Sequence, residues 1–197
     1  MYISSMWFYY QSRRKLEMLK HKGTQKIETD RLVLRSFYEN DGIQMYENWA
    51  HDERVTKFLR WKPHLHVEES KTICKIWEEM VKHKENYQWA IVEKDTNSVI
   101  GSIGLVDVNE KMKSCEIGYC IGYNWWGKGY VTEALRAILK FIEDIGFIRV
   151  YAVHDILNEN SGKVLMKCDF EYEGILKKYA MNNKEEFVDV KIYAKTK

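Results

Sequence analysis

Apolar residues along this chain switch between a period near two and a period near 3.6, and the switch points mark its elements. Thr29-Asp30-Arg31 opens the run Leu32-Val-Leu-Arg-Ser-Phe37, which predicts a first strand. Helical spacing follows through Glu39–His51 and Val67–Lys84, where Ile73, Ile76, Trp77 and Met80 share a face. Trp89–Glu93, the turn Asp95-Thr-Asn-Ser98 and Val99–Leu105 predict strand, turn and strand, and Ser114–Gly122 a further strand. Gly129–Ile145 reads as a helix with Ala134, Leu135, Ile138, Leu139, Phe141 and Ile142 at core spacing and Gly146 as its stop. Arg149–Val153 is another strand, Asn160–Lys167 a short helix, and Tyr172–Tyr179 and Phe187–Lys195 two closing strands. That order predicts an α/β (α+β) domain, a mixed sheet with helices on its faces.

Composition narrows the class. At 197 residues the chain has room for one domain with a buried core. A 45% hydrophobic and 30% charged content describes an ordinary globular protein. Its 31 basic and 29 acidic residues leave a net charge of +2, which gives no nucleic-acid footprint. Cys74, Cys115, Cys120 and Cys168 show neither zinc-ligand nor redox-pair spacing, so reduced thiols in a cytoplasmic protein, with no metal, are expected. No apolar run approaches the roughly 20 residues of a membrane span. One proline and no Ser/Gly-rich linker leave no domain boundary after residue 27. Residues 1–26 read as an N-terminal extension, aromatic at Met6-Trp7-Phe8-Tyr9-Tyr10 and basic at Arg13-Arg14-Lys15, the reverse of a secretory signal's order. It is either a helix packed on the domain or a partner, or a poorly ordered segment.

The richest stretch is Asn124-Trp125-Trp126-Gly127-Lys128-Gly129-Tyr130, between the Ser114–Gly122 strand and the long helix. Two glycines one residue apart let the backbone turn its N–H groups outward at the positive end of a helix dipole, a geometry that holds phosphate oxygens. The ATP-type loop requires Ser or Thr after its lysine, and Lys128 precedes Gly129. The dinucleotide fingerprint requires a third glycine where Thr132 stands. Both are excluded.

Asn124-x-x-Gly127-x-Gly129 resembles the pyrophosphate loop of the GNAT superfamily of N-acetyltransferases, written Gln/Arg-x-x-Gly-x-Gly/Ala, with Asn124 departing at the first position. The longer string Trp126-Gly-Lys-Gly-Tyr-Val-Thr-Glu-Ala134 is similar to the branch containing the ribosomal-protein N-acetyltransferases, and the likeness spans roughly residues 27–195. It implies the GNAT fold, with a mixed, mostly antiparallel central sheet. It further implies acetyl-coenzyme A as cosubstrate, a homodimer, and an amine acceptor that is a ribosomal-protein N-terminus or a small amine. A coenzyme A-binding or sensing domain without turnover is the rival reading.

Transfer from a thioester to an amine needs a base, an oxyanion donor and a proton for the thiolate. The resemblance points to Glu116 as base, against a solvated glutamate at the start of an exposed strand. Cys120, Ile121 and Gly122 would offer backbone N–H and C=O to the thioester and pantetheine arm. Trp126, Gly127, Lys128, Gly129, Tyr130 and Val131 would line the pyrophosphate. Asn158-x-x-Ser161 falls where the family contacts coenzyme A, with Ser161 facing the sulfur, against a plain helix N-cap. The tyrosine that protonates the thiolate in many relatives is Leu165 here, and Asp169 replaces a glycine. Ser161, or solvent, is left to assist the sulfur. Trp61 and His64, beside Pro63, resemble the loop that closes on the acceptor. Cys120 reads as a packed thiol and His154-Asp155 as structural.

Overall fold

The computed structural model describes residues 18–197. Eight strands form one sheet in the order β1-β2-β3-β4-β5-β6-β8-β7. They are β1 (Ile27–Glu28), β2 (Leu32–Arg35), β3 (Gln88–Glu93), β4 (Ser98–Asn109), β5 (Ser114–Ile121), β6 (Arg149–Asp155), β7 (Glu171–Met181) and β8 (Phe187–Thr196). Every neighbouring pair is antiparallel except β5 and β6. That parallel pair is joined by the crossover helix α4 (Tyr130–Ile145), as parallel strands require.

The remaining helices are α1 (Asp41–Met45), which continues as a π-helical turn over Tyr46–Ala50, then α2 (Glu53–Thr56), α3 (Val67–Met80) and α5 (Glu159–Lys167). Alternation on β5 sends odd and even positions to opposite faces. Cys115 and Ile117 join the cluster formed with Ala134, Leu135, Ile138 and Ile142 of α4 and Leu165 of α5. Cys120 packs toward the second cluster, where Phe37, Met45, Trp49 and Cys74 pack with Ala90, Val92 and Val99. Burial of Trp49 and Trp89, both fully inaccessible, gives each layer a large apolar anchor.

Helix α4 ends where the sequence predicts, at Gly146 with φ 108°, a left-handed cap that suits glycine. The packed domain begins earlier than residue 27. Leu19 is buried in the core, and the Lys20 N–H donates to Ile145 O at the end of α4, 2.9 Å. The aromatic and basic residues of the extension, up to residue 17, lie outside the described residues. Among the described residues no helix is long and apolar enough to cross a membrane. They hold no group of three or more His, Cys, Asp or Glu suited to a metal ion.

Candidate active site

Strands β5 and β6 pair over only three positions, Ser114–Arg149 to Glu116–Tyr151, although β5 runs on to Ile121 and β6 to Asp155. Beyond Glu116 the two diverge. The sheet therefore has a gap, with Glu116 at its apex. The N-terminus of α4 stands past the end of β5, on the same side of the sheet as α5.

The loop into α4 carries the anion-binding geometry. Gly127 and Gly129 have φ of 74° and 82°, left-handed values that favour glycine. A Cβ on Gly127 would meet nothing within 4 Å, so its backbone faces open space. The first bond of the helix runs from Glu133 N–H to Gly129 O, which leaves the amides of Tyr130, Val131 and Thr132 without helical partners, and no side chain caps them. A pyrophosphate fits such a turn. The loop is fixed from below. Glu133 accepts from Thr29 Oγ1 at 2.6 Å, Arg31 N at 2.9 Å and Arg31 Nε at 2.7 Å, and Arg31 Nη1 donates to Lys128 O at 3.0 Å. Burial alone would raise the Glu133 carboxyl, but these donors outweigh it and hold it below the ordinary range.

The side chains of the predicted loop residues divide. Tyr130 donates to Glu93 Oε1 at 2.5 Å and lies under the Arg31 guanidinium, so only its backbone is free for a ligand. Val131 is buried, and Lys128 is exposed. Trp125 packs against the core, whereas Trp126 is partly exposed and donates from Nε1 to Ile121 O at 2.9 Å.

The edge of β5 divides the three residues named from the sequence. Gly122 N–H donates to Ile100 O at 2.9 Å, and in the alternation of an antiparallel ladder Cys120 likewise pairs with Ser102. Tyr119 and Ile121 are the residues whose N–H groups turn toward the gap, so of the three residues named from the sequence Ile121 presents its amide there, while Cys120 and Gly122 do not. The Cys120 thiol is pushed up to about 12 by burial, which fits a packed thiol.

Glu116 is 8% exposed, which removes the reading of a solvated glutamate. Burial raises its carboxyl, the Arg60 charge lowers it and Asp107 raises it further. Arg60 Nη2 lies 3.6 Å from Glu116 Oε1. Even positions of β5 face α1 and α3, so Glu116 opens toward the loop that carries Arg60. A cavity of about 790 Å³ lies between that loop and the β7–β8 hairpin, lined by Arg60, Trp61, His64, Tyr179, Met181 and Glu185 among others. Trp61 and His64 thus stand in one wall, 5.3 Å apart between ring centres, and His64 Nδ1 is 2.7 Å from Ser70 Oγ. Glu185, from the turn of the hairpin, pairs with Lys62 at 2.7 Å beside the cavity.

Ser161 lies on the opposite face, in the first turn of α5. Asn158 is the N-cap, its Oδ1 accepting from Ser161 N at 3.4 Å, so the capping role holds for that side chain. Gly162 lets α5 sit close, since a Cβ there would stand 3.0 Å from His154 Nε2. Leu165 is fully buried in the core. Sequence reasoning missed Tyr119. Its hydroxyl is 2.9 Å from Ser161 Oγ and donates to Ser161 O at 3.1 Å, and burial raises it so that it stays protonated. The signal was the odd position of Tyr119 on β5, which directs it to the α5 side, opposite Glu116.

Comparison with known proteins decides the family. The acetyltransferase (GNAT) domain matches residues 31–171. The chain belongs to the GNAT acetyltransferase family. As a member it is an acetyl-coenzyme A-dependent acyltransferase. It is 28% identical over 169 residues to the N-acetyltransferase YoaA of Bacillus subtilis, covering 85% of this chain and 94% of the relative. It is 27% identical over 163 residues to the ribosomal protein uS5-alanine N-acetyltransferase of Escherichia coli, covering 79% and 83% of the two chains. The solved structure of RimL, a ribosomal L7/L12 α-N-protein acetyltransferase with coenzyme A, superposes with a TM-score of 0.78. That match has 20% identity and covers 87% of this chain and 98% of RimL. This GNAT protein shares their fold, with a mixed sheet of eight strands.

Proposed function

We propose that this GNAT protein N-acetylates a primary amine by direct attack within a ternary complex, with a protein N-terminus as acceptor. One observation carries the reading. Glu116 and the Tyr119–Ser161 pair stand on opposite faces of the sheet at one gap, so a proton acceptor and a proton donor flank a single passage.

Bound acetyl-coenzyme A supplies an activated acyl thioester, its pyrophosphate on the amides of Gly127–Thr132 and its arm along Tyr119 and Ile121. Trp126 donates to Ile121 O without it, so the indole moves aside or lies against the arm. The acceptor enters through the cavity between Trp61, His64 and the hairpin. Glu116 takes one proton from its ammonium, the nitrogen–carbonyl bond forms, the second nitrogen proton passes to solvent, and the carbon–sulfur bond breaks. A Tyr119 or Tyr119-oriented Ser161 hydroxyl returns a proton to the departing sulfur. A backbone N–H at the gap, from Tyr119 or Ile121, is placed to carry the oxyanion.

Two observations favour a protein acceptor over a small amine. The cavity is wide and open between two loops, and the relative from E. coli is named as a ribosomal protein uS5-alanine N-acetyltransferase. The test is a mass-spectrometric panel of ribosomal N-terminal peptides and small amines with acetyl-coenzyme A, read alongside thiol release. Glu116→Gln should abolish most turnover and keep coenzyme A affinity. Tight binding without thiol release for any amine would instead establish a sensing domain.

A further inference from the structure

Four polar side chains meet where β5 and β6 part, and one of them is conspicuously short of partners. Asp107 on β4 and Tyr151 on β6 are the direct cross-strand neighbours of Glu116. Directly opposed residues share a face, so the three form one row across the sheet. A register shift between Leu105 and Asp107 is what brings Asp107 into that row, since the regular pairing of β4 would have placed a different residue there. Tyr151 reaches past Glu116, and its hydroxyl donates to Asp107 Oδ2 at 3.1 Å. Arg60, on the loop before α3, completes the group 3.6 Å from Glu116. Among the described residues, Arg60 is the one side chain in polar contact with the Glu116 carboxylate. A carboxylate this buried ordinarily collects hydrogen bonds. Here the phenol on the neighbouring strand is engaged by a different carboxylate.

We propose that Asp107 and Arg60 are opposed positioning residues for Glu116. Asp107 holds the Tyr151 hydroxyl, so the lone pairs of Glu116 stay open to an incoming ammonium. Arg60 faces the carboxylate from the acceptor side and yields its place when the ammonium arrives, which its half-exposed side chain and loop position allow.

The surrounding groups agree with this division. Arg60 lowers the Glu116 carboxyl and Asp107 raises it. Burial first, then the bond to Asp107 and the charges of Glu116, Asp107 and Tyr179, raise the Tyr151 phenol, which stays a neutral donor. Glu171 ends the same row, beyond Tyr151 and Ala194, and two other charges near this face are engaged elsewhere. Arg149, two residues before Tyr151, pairs with Glu173 at 2.5 Å, and Lys62 pairs with Glu185.

The inference rests on Glu116 as the base, so its test is built to fail separately. Full-length protein labelled with ¹³C-carboxyl glutamate is titrated by NMR, and the Glu116 resonance is assigned by its loss in Glu116→Gln. Arg60→Met should move the Glu116 midpoint up, and Asp107→Asn should move it down. Asp107→Ala frees the phenol to donate to Glu116, and should move the midpoint lower than Asp107→Ala with Tyr151→Phe. The acid limb of kcat/KM should shift in the same directions. Midpoints that move together for Arg60→Met and Asp107→Asn, or that coincide for Asp107→Ala and the double variant, overturn the proposal. Wild-type turnover in Glu116→Gln would instead reject Glu116 as base, with the NMR midpoints still deciding the arrangement around it.

Discussion

Gly127→Ala separates backbone strain from ligand binding. Gly127 has φ 74°, and an alanine forced into that region costs roughly 1–2 kcal/mol. No heavy atom lies within 4 Å of the position its methyl would take, so no clash adds to that figure. For a chain of this size each kcal/mol lowers Tm by about 2–4 °C, so the free protein should melt roughly 2–8 °C lower. The same methyl, however, fills open space beside the turn whose amides are proposed to hold a pyrophosphate. Acetyl-coenzyme A affinity, by titration calorimetry well below the new Tm, should therefore fall at least about tenfold, the equivalent of 1.4 kcal/mol.

Gly146→Ala is the matched control. Its φ of 108° imposes comparable backbone strain at the far end of the same helix, and its nearest neighbour would be Leu19 Cδ2 at 3.8 Å. It should lose stability and keep affinity. If Gly127→Ala melts lower by the expected amount but binds acetyl-coenzyme A as the wild type does, the α4 turn is not the pyrophosphate cradle. The functional reading would then lose its anchor.

Three further outcomes follow from the same geometry. Cys120→Ala should retain turnover, and Cys120 should resist iodoacetamide near neutral pH in a peptide-mapped labelling experiment, because burial pushes its thiol up to about 12. Leu165→Ala, on the fully buried face of α5, should cost roughly 2–5 kcal/mol and lower the urea midpoint without changing the m-value. Glu133→Gln should melt lower than wild type at neutral pH. Its carboxyl is held below the ordinary range in the folded state, so its contribution is present above the unfolded pKa. That contribution disappears as pH falls through the folded value, and the two melting curves should converge in acid.

The elements carrying strong periodicity were legible in the sequence, and the reason is local. Helix α4 shows its apolar stripe and its Gly146 stop in adjacent residues, and β3–β4 show alternation around a turn. The short β1 and α2 are too brief to show periodicity, so the sequence reading lacked them, although Asp52 caps α2 locally by accepting from Arg54 N. The glycine turn was equally readable, because Gly127 and Gly129 meet a need of the backbone itself.

What sequence could not supply was the consequence of pairing. The gap at Glu116 exists because β5 and β6 are parallel for three positions and then part, a relation between residues more than thirty apart. Asp107 enters the Glu116 row through a register shift, whereas the sequence reading ended that strand at Leu105. Arg60 arrives on a loop with no periodic signal at all. Tyr119 was visible as a strand residue, but its meaning depended on which face α5 covers. The division of labour follows physically: phosphate recognition needs a local backbone conformation, while proton transfer needs side chains brought together by the sheet. A chain that kept Gly127 and Gly129 but lost the β4 register shift would therefore bind the acyl donor and present Glu116 without Asp107 opposite it. In such a chain the Tyr151 hydroxyl would be free to turn onto Glu116, and the proposed base would be weakened with the proposed cradle intact.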